Sequence, residues 1–290
     1  MRKRRAAARI SLRSSQGRVV KAGREARYNA KYHERYYAFN RGASQRSTAR
    51  HKLVLTSDEA SARIAHYGGF RLEMRPGSSD VKIAVEVLRR KAYHKAFQRT
   101  DAVWGDFGAH IGCFAVYALS RGAKKVHCWE PFPGSRSLLR RNLAGCPVKI
   151  HCQAVSWDGK SPVKLFLHGR TDARHTLLPV RGRKSLVVQA ARMADVLNAH
   201  EDINAIKLDI EGSEIEILQR FRFPARIRAL TFEWSYSVQP APSVLRKVLA
   251  KLRQSSWQVM HAPSALRRPR LQSGGWMRMH NRDVIVSCVR

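Results

Sequence analysis

Negative charge is scarce in this chain. Its 290 residues hold 21 Asp and Glu against 55 Lys and Arg, a formal charge of +34. So basic a molecule is not built to gather cations over its surface; its field draws polyanions such as nucleic acid, acidic glycan or anionic membrane. Long apolar runs are also missing: no stretch of about 18 apolar residues occurs, so no membrane-spanning helix is expected. Cysteines number five and include no C-x-x-C pair, which argues against a zinc ribbon or a disulfide framework. Cys113 and Cys128 fall inside apolar patterns and read as reduced, buried thiols of an intracellular, most simply cytoplasmic, protein. The chain has no G-x-x-x-x-G-K-[ST] and no G-x-G-x-x-G, which disfavours a P-loop and a nicotinamide cofactor.

What is present divides in two. Residues 1–52 read as a basic, flexible N-terminal extension, because high charge and low hydrophobicity do not offset the entropy of ordering. Residues 1–54 carry +14 and the rest of the chain +20, so the charge is not confined to the extension. The start, MRKRRAAARISLRSSQ, has no apolar stretch suited to a secretory signal. Its composition fits an organelle presequence, and its RKRR cluster fits a nuclear signal or a nucleic-acid-binding arm. The patch YNAKYHERYYAF (28–39) suits stacking on bases or sugars, or a helix laid on the domain through Tyr32, Tyr36 and Phe39.

Residues 53–290 read as one α/β domain. A helix is predicted over 81–99, with Asp80 as its cap. Strand and helix patterns then alternate: strands at 102–108, 125–131, 148–156, 205–212 and 227–235, with helices at 110–122, 135–145, 213–221 and 242–255. SPVKLFLHG and SLVVQAARM add strands. The last two strands, WQVMHAP and DVIVSCVR, have no long helix between them and can pair antiparallel. Such alternation predicts a mostly parallel sheet covered on both faces by helices.

The chemistry concentrates at strand ends. The first strand runs into Asp106, Gly108 and Gly112, a D-x-G-x-x-x-G turn into a helix. The second ends in Glu130, a carboxylate placed to accept the hydroxyl protons of a ribose. In INAIKLDIEGSEIEILQ (203–219), Lys207, Asp209 and Glu211 alternate with Ile206, Leu208 and Ile210, so the acids leave the strand's carboxyl end on one face. Glu214 and Glu216 have a structural reading in the first helical turn. Glu233 repeats the strand-end pattern. Asp106, Glu130, Asp209, Glu211 and Glu233 would therefore ring one sheet edge as a site for a cationic or polyhydroxyl ligand.

GDFGAHIGCFAVYALSRGAKKVHCWEPFP and INAIKLDIEGSEIEIL together resemble the FkbM family of S-adenosylmethionine-dependent methyltransferases. The family's marks are a D-x-G-A-N-x-G turn, a strand ending E-P, and an I-K-x-D-x-E-G-x-E-x-x-x-L stretch. The resemblance spans about residues 65–235; one departure is His110, where the family usually has Asn. It implies a Rossmann-like methyltransferase fold: a seven-stranded, mostly parallel sheet with helices on both faces and the last strand antiparallel. It implies S-adenosylmethionine over the turn formed by Asp106, Gly108, Ala109, His110 and Gly112. The ribose would lie on Glu130 and the adenine near Gln153, Ala154 and Val155. It also implies O-methylation of a sugar or glycan hydroxyl, with Asp209, Glu211 and Glu233 as candidates to accept the proton and His175 reaching in from a loop.

Two other readings compete. The basic charge fits a ribose O-methyltransferase acting on RNA, with Lys207 and Asp209 as a pair on the hydroxyl and VRGRK (180–184) and LRRPR (266–270) screening the acids. The same charge fits a non-catalytic polyanion-binding protein on this fold. No metal site is expected from the spacing of the ligand-type residues; a divalent ion on Asp209, Glu211 and Glu233 has no support there.

Overall fold

The computed structural model describes residues 52–56, 63–97, 101–168, 174–234, 242–261 and 284–290. The readings for residues 1–51, including the 28–39 patch, and for 266–270 lie outside them.

The chain enters through a small antiparallel sheet, β1 (Val54–Leu55), β2 (Ile64–Tyr67) and β3 (Phe70–Glu73). The central sheet is built from β4 (Val103–Phe107), β5 (Lys125–Trp129), β6 (Val148–His151), β10 (Ala205–Leu208), β11 (Ala229–Trp234), β12 (Gln258–His261) and β13 (Val284–Val289). Its order is β12-β13-β11-β10-β4-β5-β6. Four neighbouring pairs are parallel, and β13 runs antiparallel to both β11 and β12. This is the Rossmann-like methyltransferase topology expected from the sequence.

Burial on both faces explains why the central strands are so apolar. One face carries α1 (Asp80–Ala84), α2 (Cys113–Ser120) and α3 (Pro133–Asn142), packed on Trp104, Val126 and Cys128. Every residue of α2 is buried, as its almost wholly apolar sequence CFAVYALS requires. The other face carries α4 (Met193–Ala199), α5 (Glu214–Arg220) and α6 (Pro242–Gln254), packed on Phe107, Ile206, Leu208 and Phe232. Alternation along β4 and β10 thus sends Trp104 and Ala205 one way, and Phe107 and Ile206 the other. A third sheet is β7 (Gln153–Ser156), β9 (Ser185–Arg192) and β8 (Val163–Phe166), in that order.

Three local readings are corrected. The helix predicted over 81–99 is α-helical only for Asp80–Ala84, widens to a π-helical turn at Val85–Arg89, and ends at Lys91 with φ of 54°. Aromatic burial outweighs helix continuation here. Phe97 stacks on Trp104 with centroids 4.7 Å apart, and Tyr93 meets Phe114 edge-on at 5.3 Å. Asp80 is not the cap but the first helical residue; its buried carboxylate takes the amide and the guanidinium of Arg75. The strand predicted over 148–156 divides at Cys152: β6 stays at the edge of the central sheet, while β7 leaves it to bury Ala154 and Val155 beside β9. Among the thiols, Cys113 and Cys128 are buried as expected, Cys288 is buried as well, and Cys152 is exposed.

Candidate active site

A cavity of about 430 Å³ opens at the carboxyl ends of β4, β5, β10 and β11, where open parallel sheets bind ligands. Its floor is the turn after β4. Gly108 has φ of +82°, and a Cβ there would lie 1.8 Å from the carbonyl oxygen of Asp209. Only glycine lets the ends of β4 and β10 approach this closely. The approach is fixed by two bonds: Asp209 N donates to Phe107 O at 3.0 Å, and Lys207 Nζ donates to Gly108 O at 2.8 Å.

The structure brings most of the predicted site residues to one cavity. Gly108, Ala109, His110, Glu130, Ala154 and Val155 line the cavity, and so do Asp209, Glu211 and Glu233. Asp106 and Gly112 do not line it. Asp106 is fully buried in β4, with Oδ1 3.1 Å from Lys207 Nζ. Gly112 starts α2 with φ of +98°, packed against Leu139 and Leu143 of the α3 segment. Both lie behind the cavity wall.

Glu130 is held from two directions. His110 N donates to Oε2 and Phe132 N to Oε1, each at 2.8 Å. Each oxygen keeps a further lone pair for a hydroxyl donor. Burial raises the Glu130 carboxyl to about 7. Lys207 is buried, and its pKa is raised because the charges of Asp106 and Asp209 outweigh the cost of burial. Its Nζ is 3.4 Å from Asp209 Oδ2, and Tyr93 OH donates to the same oxygen at 3.1 Å. Burial and the Asp209 charge keep the Tyr93 hydroxyl protonated, so it acts as a donor. The Asp209 side chain is 23% exposed, and it lines the cavity.

Glu211 sits at φ of 53°, and its carbonyl accepts the Thr176 hydroxyl at 2.6 Å, tying the loop before β9 to the site. The structural reading of Glu214 holds with a different cause. Its carboxylate accepts the amides of Ile210 and Gly212 and so fixes the loop that presents Asp209 and Glu211. His175 lines the cavity; its Nδ1 accepts the amide of His168 at 3.1 Å, so in the neutral ring the proton sits on Nε2. That geometry makes His175 a donor rather than a proton acceptor.

Sequence reasoning missed Arg75 and Tyr93. Arg75 forms a two-pronged pair with Asp80 at 2.7 and 2.9 Å, and its Nη2 lies 2.9 Å from His110 Nε2. A guanidinium can only donate, so His110 Nε2 accepts and Nδ1 carries the proton. Burial lowers His110 to about 4, so the ring is neutral. Nδ1 is buried with no partner among the described residues, which leaves a fixed donor in the turn. Asn, the usual family residue there, also offers a side-chain donor. No periodicity in the sequence marks either Arg75 or Tyr93.

The donor set suits S-adenosylmethionine. A ribose would find the carboxylate of Glu130, an adenine the lining at Ala154 and Val155, and a cationic sulfonium the acids of the same cavity. The family described as "Methyltransferase FkbM domain" matches residues 106–254. Among curated proteins, no sequence matches the chain. Similar solved structures include a SAM-dependent methyltransferase from Leishmania major, with 10% identity, TM-score 0.40, and 74% of this chain and 78% of that one covered. A ribosomal protein L11 methylase from Lactobacillus delbrueckii subsp. bulgaricus has 13% identity and TM-score 0.38, covering 69% and 79%. A putative RNA methyltransferase from Pyrococcus horikoshii has 14% identity and TM-score 0.36, covering 72% and 85%.

Proposed function

Because this chain belongs to the FkbM methyltransferase family, and is a methyltransferase dependent on S-adenosylmethionine, we propose that its acceptor is a hydroxyl of a sugar or glycan. The observation that carries this reading is the convergence of Asp209, Glu211 and Glu233 on the cavity that Glu130 also lines, in a chain otherwise so short of acids. Carboxylates suit a polyhydroxyl acceptor, which offers them hydroxyl donors, and disfavour a phosphate-bearing one.

S-adenosylmethionine, when bound, supplies an electrophilic methyl group. Glu130 and the turn from Gly108 to His110 would hold it, with Ala154 and Val155 beside the adenine. Methyl transfer needs in-line alignment, so much of the acceleration comes from fixed positions. The site's rigidity serves that need: Lys207 ties Gly108 to Asp106 and Asp209, and Glu214 fixes the loop after β10. A sugar hydroxyl is a weak nucleophile and needs a proton acceptor within hydrogen-bond reach. Asp209 is the candidate. Tyr93 orients its carboxylate, and the side chain faces the cavity. Glu211 and Glu233 would accept neighbouring hydroxyls and orient the acceptor.

A second reading, ribose O-methylation of RNA, is favoured by Lys82 and Arg174 on the cavity lining, together with the overall charge. Transfer of a labelled methyl group separates the two. The sugar reading expects neutral oligosaccharides to be labelled and turnover to persist in high salt. Labelling of RNA alone, suppressed by salt, would replace it with the RNA reading. Residues 1–52 fit as an appended basic arm to the domain at 53–290, and removing them should leave a folded, methyl-transferring core.

A further inference from the structure

Three histidines far apart in the sequence meet beside the cofactor cavity. His127 lies in the middle of β5, His151 ends β6, and His200 follows α4. One ring nitrogen from each falls in a group whose members lie within 4.8 Å of one another. The spacing of ligand-type residues gave no sign of this cluster, because it is assembled from two strands and a helix end.

The hydrogen bonds fix which atoms are offered. His127 Nε2 lies 3.1 Å from Asp202 Oδ2, an oxygen also bonded by Lys125 Nζ at 3.0 Å. A carboxylate accepts, so His127 carries its proton on Nε2 and turns a lone pair outward from Nδ1. That Nδ1 is 3.5 Å from His151 Nε2. Two imidazoles on one tetrahedral zinc, each about 2.0–2.1 Å from the metal, stand roughly 3.3 Å apart. The pair is therefore already near ligand spacing. His200 is half-buried at the end of α4, and its ring centroid is 4.6 Å from that of His127 and 4.8 Å from that of His151. A rotation of this outer ring closes the set.

We propose that His127, His151 and His200 form a three-imidazole site for a divalent first-row transition ion, with Asp202 as the carboxylate partner that orients His127. The carboxylate–histidine–metal arrangement is how ligating imidazoles are commonly fixed in tautomer and direction. Three nitrogens with no thiol and no carboxylate in direct contact suit Zn²⁺, Co²⁺, Ni²⁺ or Cu²⁺, and not Mg²⁺ or Ca²⁺. Lys125 and Lys149 are the nearby cations; Asp202 offsets the first. The site is distinct from the cofactor cavity but touches its wall. The Trp129 ring, on that wall, stacks on His151 with centroids 4.2 Å apart and planes within 5°. An ion there would pin β5, β6 and the end of α4 behind Trp129.

The test uses full-length protein without a polyhistidine tag, freed of metal and titrated with Zn²⁺ against a chromogenic chelator. A parallel titration with Co²⁺ is read by visible absorption. One tight equivalent per chain is expected, with Co²⁺ bands of a low-coordinate nitrogen site. His151→Ala and His200→Ala should each weaken that equivalent at least about 100-fold. Asp202→Asn should weaken it about 10- to 100-fold, with melting curves confirming that each variant folds. No binding tighter than about 100 µM, or a tight equivalent that survives both histidine changes, overturns the proposal. Neither readout depends on methyl transfer, so the site stands or falls apart from the sugar reading.

Discussion

Lys207 Nζ lies 3.1 Å from Asp106 Oδ1, and both side chains are sealed from solvent. This buried pair joins β4 to β10 directly beneath the glycine turn, and Lys207 spends a further hydrogen bond on the carbonyl of Gly108. Asp106, read from the sequence as part of the cofactor site, acts from behind the wall by holding Lys207 and so the turn.

Breaking that pair should therefore cost stability as well as binding. Removing one partner of a buried ion pair typically costs about 3–5 kcal/mol. Asp209 remains near Lys207, so Asp106→Ala is expected at the lower end, about 3 kcal/mol by urea unfolding, with S-adenosylhomocysteine affinity reduced as well. Unchanged stability would show that Lys207 needs no partner there.

Gly108 admits no side chain. Its left-handed φ costs a Cβ-bearing residue about 1–2 kcal/mol, and the clash is with the backbone of Asp209, which cannot swing aside. Gly108→Ala should lose roughly 2–5 kcal/mol and cofactor binding together. A variant with native stability and affinity would contradict the close approach of β4 and β10.

Glu130 and Glu214 make stability depend on pH in a stated direction. Burial raises both from 4.5 in the open chain to about 7 in the fold. A raised carboxyl favours the neutral form in the folded state, so its contribution to stability is full below about pH 4.5 and lost as pH rises through about 7. The shift corresponds to roughly 3 kcal/mol per group at about 1.4 kcal/mol per unit. Unfolding free energy should fall from pH 5 to pH 8, and Glu130→Gln should flatten part of that fall. An equal slope in the variant would remove Glu130 as a source.

Asp209→Asn should keep cofactor affinity within a few-fold and lower turnover by 10²- to 10⁴-fold, the span usual for positioned proton acceptors. Near wild-type rates would move the role to Glu211 or Glu233.

How much of this was legible in the sequence follows from where the information is local. The alternation of apolar runs, the glycines and the acids at strand ends placed the sheet and put Glu130, Asp209 and Glu233 on one rim. The π-helical turn at Val85–Arg89 was not legible, because the stripe of Val81, Val85 and Leu88 suits a helix and the break answers to distant Trp104 and Phe114. The division at Cys152 was hidden for a similar reason: β6 and β7 are each apolar enough to read as one strand, and only their different partners separate them. Asp80 was misread as a cap, and the pairing of Asp106 with Lys207 was not foreseen, because their partners, Arg75 and Lys207, are chosen by the fold. The three histidines are invisible to spacing because no two of them share an element.

The central claim is that S-adenosylmethionine binds in the cavity over Gly108 with its ribose on Glu130. Calorimetric titration of the wild type and of Glu130→Ala with S-adenosylhomocysteine tests it most directly. One-to-one micromolar binding that is lost in the variant, while the variant still melts cooperatively, is the predicted result. No binding by well-folded wild type, or equal binding by both proteins, would contradict it.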